Sequence, residues 1–269
     1  MITSTGNAKV RELVQLKKSA KARRKAGVFP AEGLRLFEEI PGERIRDVYV
    51  SESFLRQQEE RICRLREDGF RPETVSDDVF SYLSDTQTPQ GILSVVRMLP
   101  EPEETFFDAG GIWLILENLQ DPGNLGTMFR TGEGAGITGI IMDRTCTDVY
   151  SPKVIRSTMG SIFRVPFLIT SDLSDPVRRL KEAGTAVYAA AAGAQLCYDR
   201  ADFTRGCAFL IGNEGSGLSR EAFSLADTGV YLPMEGKLES LNAAVAASLL
   251  MYEAGRQRRN LCFDSGQKK

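Results

Sequence analysis

Glycine, asparagine and charged residues cluster in three segments of the C-terminal half, and each cluster follows an apolar run. The segments are 121–130, 212–219 and 232–242, and the apolar runs are 112–116, 208–211 and 230–232. In open α/β sheets, ligands bind where strands end in such turns, because side chains and free backbone N–H groups converge there. Three such turns in one half of a chain predict one composite site.

Two common nucleotide-binding patterns are missing from this half of the chain. No Gly-x-Gly-x-x-Gly turn follows the run 112–116, because Gly132, Gly134 and Gly136 lie a helix length too late. The Gly-x-x-x-x-Gly-Lys-Ser/Thr phosphate loop is absent as well. The sequence therefore disfavours a dinucleotide-dependent dehydrogenase and a P-loop nucleotidase.

The elements that must position the three segments alternate regularly. Strands are predicted at 112–117, 138–142, 164–169, 185–191, 207–212 and 229–233, and helices at about 124–135, 152–161, 175–183, 219–226 and 240–256. Ser151-Pro152 and Asp175-Pro176 are typical helix starts, and Gly184 is a typical helix stop. Strand–helix alternation predicts an α/β fold with a mostly parallel sheet covered on both faces.

The first 98 residues predict a separate, smaller α/β domain. Helical spacing indicates helices at 4–26, 34–40 and 54–69, strands are predicted at 47–50 and 91–98, and 29–33 is extended. Gly27 can end the first helix. Residues 99–109 carry two prolines and an acidic cluster, which is typical of a linker. The predicted organisation is therefore a domain at 1–98, a linker at 99–109, a domain at 110–260 and a tail at 261–269.

Composition indicates a globular protein of the cytoplasm. The longest apolar stretches are far shorter than the roughly 20 residues of a membrane span. The N-terminus lacks the apolar core of a signal peptide. The five cysteines stand singly and the chain has no histidine, so we expect no metal site and no histidine acid–base chemistry.

The net charge of −2 conceals a strongly basic N-terminus. Residues 1–30 hold eight lysines and arginines against the single acidic residue Glu12. Such a segment suits a polyanion, because neutralising phosphates releases counterions. A solvated helix face would show the same pattern, so charge alone leaves both interpretations open.

The three segments together resemble the motifs of the SpoU/TrmH family of RNA ribose 2′-O-methyltransferases, within the SPOUT superfamily. The first motif is Asn124-Leu125-Gly126 with Arg130, the second runs from Gly212 to Leu218, and the third runs from Leu232-Pro233-Met234 to Ser240-Leu241-Asn242. Asn7-x-x-Val10-x-x-Leu13, with residues 29–36, resembles the substrate-binding domain that often precedes the catalytic one, although this match is less specific.

The resemblance implies a trefoil-knotted SPOUT fold for the C-terminal domain, with S-adenosylmethionine bound in the knot. It also implies a homodimer whose active sites are completed across the interface. The implied substrate is structured RNA, ribosomal rather than transfer RNA, and neither DNA nor a membrane is expected as a partner. The small residues at 243–247 allow close approach of another element, either the knot or a partner subunit.

The resemblance assigns site residues to three groups. The catalytic residues are Asn124, Arg130, Glu214, Ser240 and Asn242; the cofactor-binding residues are Ala190, Ile211, Gly212, Leu232, Met234 and Leu241; and the RNA-binding residues are Lys9, Lys17, Lys18, Arg23, Arg24 and Arg35. Gly212 is expected to leave room for close approach to the cofactor.

Each catalytic residue has a chemical role consistent with the resemblance. A guanidinium stays protonated, so Arg130 is expected to orient the ribose hydroxyl and stabilise the developing alkoxide. Asn124 can cap the helix that carries Arg130. Glu214 is expected to accept hydrogen bonds from Arg130 or from substrate hydroxyls. Ser240 and Asn242 begin the last helix, where they can hold a polar ligand group or simply cap the helix.

Alternatives to this interpretation remain at this stage. The chain could be a non-catalytic RNA-binding or ribosome assembly factor, a transfer RNA 2′-O-methyltransferase, or a SPOUT enzyme that methylates a base nitrogen. Cysteine-based methylation of a base carbon is disfavoured, because no histidine is present to activate Cys146, Cys197 or Cys207.

Overall fold

The computed structural model describes residues 1–266, with side chains up to Leu261. The chain forms two compact units. The first contains residues 1–100 and 148–163, and the second contains residues 101–147 and the described chain from 164 onward. Residues 148–163 are thus an insertion from the second half of the sequence into the first unit, whereas the sequence placed them in the C-terminal domain.

Eleven α-helices and eleven strands lie within residues 1–266. The helices are α1 Ala8–Lys18, α2 Ala20–Ala26, α3 Leu34–Glu38, α4 Glu52–Gln57, α5 Glu59–Glu67, α6 Asp77–Leu83, α7 Pro122–Ala135, α8 Pro152–Thr158, α9 Ser174–Glu182, α10 Arg220–Ser224 and α11 Ala243–Gly266. The strands are β1 Val28–Glu32, β2 Ile45–Ser51, β3 Glu73–Val75, β4 Ile92–Arg97, β5 Ile112–Leu116, β6 Gly139–Asp143, β7 Phe167–Thr170, β8 Ala186–Ala190, β9 Leu196–Cys197, β10 Cys207–Ile211 and β11 Thr228–Tyr231.

The first unit is built on a four-stranded sheet of order β1-β4-β2-β3. β4 pairs antiparallel with β1 and β2, and β3 pairs parallel with β2. Helix α1 places Val10, Leu13 and Leu16 in a core that also takes Phe80 and Leu83 from α6. The 3.6-residue spacing of the apolar residues in α1 produces this buried face.

The second unit confirms the predicted α/β class with a parallel sheet. Its seven strands follow the order β7-β6-β5-β10-β8-β11-β9, and each neighbouring pair is parallel. Trp113, Ile115 and Leu210 are fully buried. The central strands are continuous apolar runs because helices cover both faces of such a sheet.

The predicted linker is packed against the second unit over part of its length. Phe106 and Phe107 are buried in the core that contains Trp113. The indole N–H of Trp113 donates to the carbonyl of Phe106 at 3.0 Å, and the Arg179 guanidinium lies 3.7 Å from the ring centre of Phe107. The proline- and glutamate-rich composition predicted a linker, but two aromatic residues within it anchor it to the core.

Several helix ends follow local sequence signals, and others do not. Gly27 ends α2 with φ of 64°, and the Ser151 hydroxyl caps α8, as predicted. The helix predicted at 4–26 is instead two helices, because Ser19 is extended and its hydroxyl caps α2. Helix α9 begins at Ser174 rather than after an Asp175 cap.

Arg258 and Gln257 anchor the C-terminal helix to other segments of the second unit. The Arg258 guanidinium donates to the carbonyls of Phe203, Gly110 and Gly111 at 3.1, 2.8 and 3.0 Å. Gln257 accepts from the backbone N–H of Phe203 at 2.7 Å. These contacts bind α11 to the segments that precede β5 and β10.

Some elements had no clear signal in the sequence. Strand β3, helix α6 and the two-residue strand β9 were not predicted, and the helix predicted at 54–69 is interrupted at Gln58. Part of the predicted tail, 261–266, continues α11, and residues 267–269 lie outside the described chain. Within the described residues, no helix combines the length and apolar character that crossing a membrane requires.

Candidate active site

The turn between β5 and α7 carries the first polar segment. Its helix cap is Asp121, whose carboxylate accepts from the backbone N–H of Asn124 at 2.8 Å. This corrects the prediction that Asn124 caps α7, since Asn124 lies inside the first turn. Asn124 therefore has its whole side-chain amide available for contacts with other segments.

Glu214 joins the turn after β10 to the turn after β5. Its carboxylate accepts from the backbone N–H groups of Gln120 and Asp121 at 3.1 and 3.0 Å, and from the Asn124 amide at 2.9 Å. Burial raises the pKa of the Glu214 carboxyl, but these hydrogen bonds outweigh burial and hold the pKa below its usual value. The ionised Glu214 side chain thus bridges two turns.

Asn242 adds the third segment to the same chain of contacts. Its amide donates to Oδ1 of Asn124 at 2.9 Å. Its own Oδ1 accepts from the backbone N–H groups of Ala244 and Val245 at 2.9 and 3.3 Å, so Asn242 caps α11. Glu214, Asn124 and Asn242 therefore form one continuous hydrogen-bonded chain that ties the three predicted segments together.

The other two predicted catalytic residues take no part in this chain. Arg130 and Ser240 are exposed, and neither side chain makes a hydrogen bond or ion pair with any residue described in the structure. The expected contact between Glu214 and Arg130 is absent, because the carboxylate is already occupied by other donors. Ser240 lies two residues before the cap of α11, so it is not the capping residue.

A cavity of about 460 Å³ opens beside this chain of contacts. All six predicted cofactor-binding residues line it: Ala190, Ile211, Gly212, Leu232, Met234 and Leu241. Glu214 and Ser240 also line it, whereas Asn124, Arg130 and Asn242 do not. The wall combines small apolar side chains with the backbone of the turn after β10, which is the usual lining of a small-molecule site.

Gly212 is required by the fold of its own turn. A Cβ at position 212 would lie 2.3 Å from the carbonyl carbon of Gly217 and 2.4 Å from the backbone N of Leu218. The backbone N–H groups of Asn213 and Gly217 donate to each other's carbonyls at 3.0 and 2.9 Å, which closes the loop on Gly212. The sequence predicted that Gly212 leaves room for a ligand. In the structure, the backbone of Gly217 and Leu218 occupies the space beside Gly212.

Three supporting residues escaped the sequence interpretation. Asn118 adopts a left-handed backbone, with φ of 50°, and its N–H donates to both carboxylate oxygens of Asp143 at 3.2 and 3.1 Å. Its carbonyl accepts from the Asn213 side chain at 2.9 Å. Glu117 accepts from the backbone N–H and hydroxyl of Ser219 at 2.8 and 2.6 Å. The available signal was an acidic residue at the end of each of two strands: Glu117 directly follows β5, and Asp143 is the last residue of β6.

The structure corrects two of the predicted RNA contacts. Arg23 is buried, pairs with Asp148, and donates to the carbonyls of Leu16 and Lys17 at 2.6 and 3.1 Å. The Lys17 ammonium, whose side chain is 10% exposed, pairs with Asp85 at 2.9 Å. Both cations hold the first unit together, so they are not free to bind phosphate.

The remaining basic residues of that prediction lie on the surface of the first unit. Lys9 is exposed but pairs with Glu73. Lys18, Arg24 and Arg35 are exposed and form no ion pair with any residue described in the structure. These three cations therefore remain available for a polyanion.

Two family models match this chain. The SpoU rRNA Methylase family matches residues 111–252, and the MRM3-like substrate binding domain matches residues 7–94. The first match covers the three polar segments together with the cavity. The second covers most of the first unit.

Relatives and solved structures agree with these matches. The chain is 35% identical over 251 residues to the 23S rRNA (guanosine(2553)-2'-O)-methyltransferase RlmP of Bacillus subtilis, covering 93% of this chain and 97% of that protein. An AdoMet-bound rRNA methyltransferase from Sinorhizobium meliloti superposes with a TM-score of 0.82 at 28% identity, covering 95% and 97% of the two chains.

A second solved structure gives the same result. The SpoU methyltransferase AviRb from Streptomyces viridochromogenes, in complex with AdoMet, superposes with a TM-score of 0.81 at 27% identity. That alignment covers 94% of this chain and 100% of AviRb. The chain therefore belongs to the SpoU rRNA methylase family.

Proposed function

We propose that this protein transfers a methyl group from S-adenosylmethionine to a ribose 2′-hydroxyl of structured RNA, with ribosomal RNA as the substrate. The observation that carries the proposal is the hydrogen-bonded chain of Glu214, Asn124 and Asn242 beside the cavity. It links the three family motifs and leaves Arg130 and Ser240 without partners in the described chain. The names of the relatives support the reaction class.

The cavity fits S-adenosylmethionine. Its volume of about 460 Å³ lies within the range of roughly 300–1,000 Å³ for small-molecule sites. Ala190, Leu232 and Leu241 offer apolar contacts, and the backbone of the 212–218 turn offers hydrogen-bonding groups. When bound, this cofactor supplies a methyl group on a positively charged sulfur.

Arg130 is the residue that acts on the ribose in this proposal. Its guanidinium stays protonated, so it orients the 2′-hydroxyl and stabilises the oxygen as negative charge develops there. Because Arg130 has no partner in the described chain, it can pair with an RNA phosphate next to the reacting ribose. Ser240, on the cavity wall, can hold a polar group of substrate or cofactor.

Glu214, Asn124 and Asn242 act as positioning residues. Their polar atoms are engaged with one another or with backbone N–H groups, so they fix the turns instead of binding the ribose. Holding two reactants in a fixed geometry supplies a large part of the rate of a two-substrate reaction. This arrangement also supports catalysis over a purely structural assembly factor, which has no need of an exposed arginine without a partner beside such a site.

We further propose a homodimer and a knotted chain. Helix α11 carries an exposed stripe of Val245, Leu249 and Tyr252, which are 48%, 40% and 48% exposed. These residues share one helix face by their spacing, and a second copy of the chain would cover them. A trefoil knot is consistent with strand β10 lying between β5 and β8, where the following turn doubles back on Gly212.

The first unit would bind RNA through sequence-independent phosphate contacts of Lys18, Arg24 and Arg35. Lys9 can add to them when its pair with Glu73 opens. The match of this unit to a substrate-binding family supports this role. Action on ribosomal RNA would place the protein in the cytoplasm.

Two alternatives are less well supported. Methylation of a base carbon by a cysteine needs a thiolate, but burial raises the pKa of the Cys146 and Cys207 thiols. Transfer RNA as substrate has the support of a solved structure whose description concerns the 2-OH methylation of C/U34 on tRNA, and which covers 56% of this chain at 27% identity. That neighbour matches over a much shorter stretch than the rRNA methyltransferases.

The test is transfer of labelled methyl from S-adenosylmethionine to ribosomal and transfer RNA that lack this modification. Digestion and mass spectrometry should place the label on one 2′-O-methylated nucleoside of ribosomal RNA. Arg130→Ala should abolish transfer while calorimetry shows unchanged cofactor binding. Normal turnover by Arg130→Ala, or label on a base, would contradict the proposal.

A further inference from the structure

One exposed aromatic side chain lies on the wall of the cavity. Phe223 is 41% exposed and is the single aromatic residue among the described residues that line the cavity. A large apolar side chain left in water is unfavourable by about 25 cal/mol per Å² of exposed surface. In a ligand site, such a ring indicates an apolar part of the ligand that covers it.

The ring is exposed although its helix is firmly held. Phe223 belongs to the short helix α10, whose cap Ser219 accepts from the backbone N–H of Ala222 at 3.0 Å. Ser219 is itself bound by Glu117 at 2.8 and 2.6 Å, and Ala222 is buried. The backbone beneath the ring is therefore fixed by the same turn that positions the site.

A glycine supports one side of the ring. A Cβ built at Gly229, in β11, would lie 3.1 Å from Cζ and 3.6 Å from Cε2 of Phe223. The same Cβ would lie 3.1 Å from the Cβ of Ala194. The ring thus lies against the backbone of β11 with one side covered, while the remainder is open to the cavity.

The strand order indicates which part of the cofactor meets this ring. The reacting end of the site lies where β5 and β10 end, next to Glu214. β11 is two strands away from β10, with β8 between them, which is about 10 Å at the usual strand spacing. Phe223 therefore contacts a part of the ligand that is remote from the sulfur.

Two parts of S-adenosylmethionine are remote from its sulfur. One is the amino-acid end, which is charged and would lose hydration against an aromatic ring. The other is adenine, which is flat and gains from stacking or edge contact with an aromatic side chain. The neighbouring lining residues Val230 and Leu218 are apolar, which also favours the base.

We propose that Phe223 binds the adenine of S-adenosylmethionine and is the main determinant of affinity for the adenosyl half of the cofactor. This inference rests on the proposed function, because it takes S-adenosylmethionine as the ligand of the cavity. It adds a cofactor-binding residue that lies outside the three motif segments named from the sequence.

Fluorescence of a Phe223→Trp variant tests the contact directly. The chain's own tryptophan, Trp113, is fully buried and gives a constant background. Emission should change on addition of S-adenosylmethionine, S-adenosylhomocysteine or adenosine, and should not change with methionine alone. Tyr82→Trp is the matched control, since Tyr82 is 56% exposed, lies in the first unit and does not line the cavity.

Calorimetry with Phe223→Ala and Phe223→Leu measures the contribution of the ring. The cofactor Kd should rise about tenfold in Phe223→Ala and less in Phe223→Leu, because stacking and burial of a ring contribute on this scale. The rate at saturating cofactor should stay within about twofold, since the ring lies far from the sulfur. Unfolding temperature is recorded for both variants to confirm that they fold.

The outcomes separate this inference from the proposed function. Cofactor binding by the unchanged protein, together with an unchanged Kd in Phe223→Ala or no emission change in Phe223→Trp, would overturn the role of Phe223 alone. A response to methionine and not to adenosine would assign the ring to the amino-acid end and also overturn it. Absence of cofactor binding by the unchanged protein would overturn both.

Discussion

The two sides of the cavity are held in different ways. The turns after β5 and β10 are joined by hydrogen bonds from Asn124, Gln120 and Asp121 to Glu214, and from Asn213 to the carbonyl of Asn118. By contrast, residues 234–241 form no hydrogen bond with any described residue, although Met234, Ser240 and Leu241 line the cavity. The wall formed by the turn after β10 is joined by hydrogen bonds to the neighbouring turn and is called the fixed wall, whereas residues 234–241 have no such bonds within the described chain and are called the open segment.

This difference indicates that the two walls have different roles in the site. Fixed turns suit the geometry of the reacting atoms, where small displacements are costly. An unbonded segment suits the entry and release of a cofactor, because it can move without breaking internal contacts. Changes to the fixed wall should therefore affect folding or turnover, and changes to the open segment should affect cofactor exchange.

The largest difference is expected between two glycine substitutions. Gly212→Ala should prevent correct folding of the fixed wall, because its Cβ would lie 2.3 Å from a backbone carbon. Gly236→Ala, in the open segment, meets nothing within 4 Å and should fold normally. The unfolding temperature and the cofactor Kd are measured for both variants. Equal changes in the two variants would contradict the distinction between the two walls.

A second pair of substitutions compares two glutamates that line the cavity. The Glu214 carboxylate accepts three hydrogen bonds, and Glu214→Gln replaces one of its oxygens with an NH2 group that faces other N–H donors. The two turns should then lose their fixed geometry, so kcat should fall about 100-fold. Cofactor Kd should change little. Glu239→Gln makes the same chemical change in the open segment, and its kcat should stay within about threefold. Similar losses in both variants would contradict the comparison.

Hydrogen exchange should sharpen the contrast. The amides of residues 234–241 should exchange rapidly without cofactor and slow by about tenfold or more when it binds, since the segment gains contacts. The amides of Asn213 and Gly217, which already bond to each other's carbonyls, should change little. Strong protection of 234–241 without cofactor would show that both walls are preformed.

The smallest effect concerns pH. Because the pKa of folded Glu214 lies below the usual value of 4.5, its ionised form stabilises the fold above that value. This contribution is lost as pH falls through the lower, folded pKa. When the pH is lowered from about 6 to about 3, the unfolding temperature of Glu214→Gln should therefore fall less than that of the unchanged protein. Parallel curves of unfolding temperature against pH for the two proteins would argue against an ionised Glu214 that bridges the two turns.

Local signals account for what the sequence predicted well. Gly27 and Ser151 end and begin helices through atoms within three or four residues, so the pattern was sufficient. The parallel sheet followed from apolar runs that alternate with helices. The six predicted cofactor-binding residues line one cavity, although their contact with a cofactor stays a prediction.

Contacts between distant residues account for what the sequence could not show. Arg23 was assigned to RNA, but it is buried against Asp148, which lies 125 positions away. Phe106 stands in a linker-like composition and is nevertheless buried beside Trp113. Glu214 was expected to accept from Arg130 or from substrate hydroxyls, and only the folded chain shows that Gln120, Asp121 and Asn124 donate to its carboxylate.

The anchoring of α11 by Arg258 has a consequence for the order in which the protein matures. A chain is synthesised from its N-terminus, so the β5–α7 turn leaves the ribosome long before Asn242, which closes it across 118 positions. Arg258 follows later still, and its bonds to Gly110 and Gly111 hold that closure in place. A nascent or truncated chain that ends before α11 therefore lacks Ala243, Ala246 and Leu250, which line the cavity in the finished protein. It also leaves uncovered the surface on which Leu250 and Met251 are buried in the finished protein.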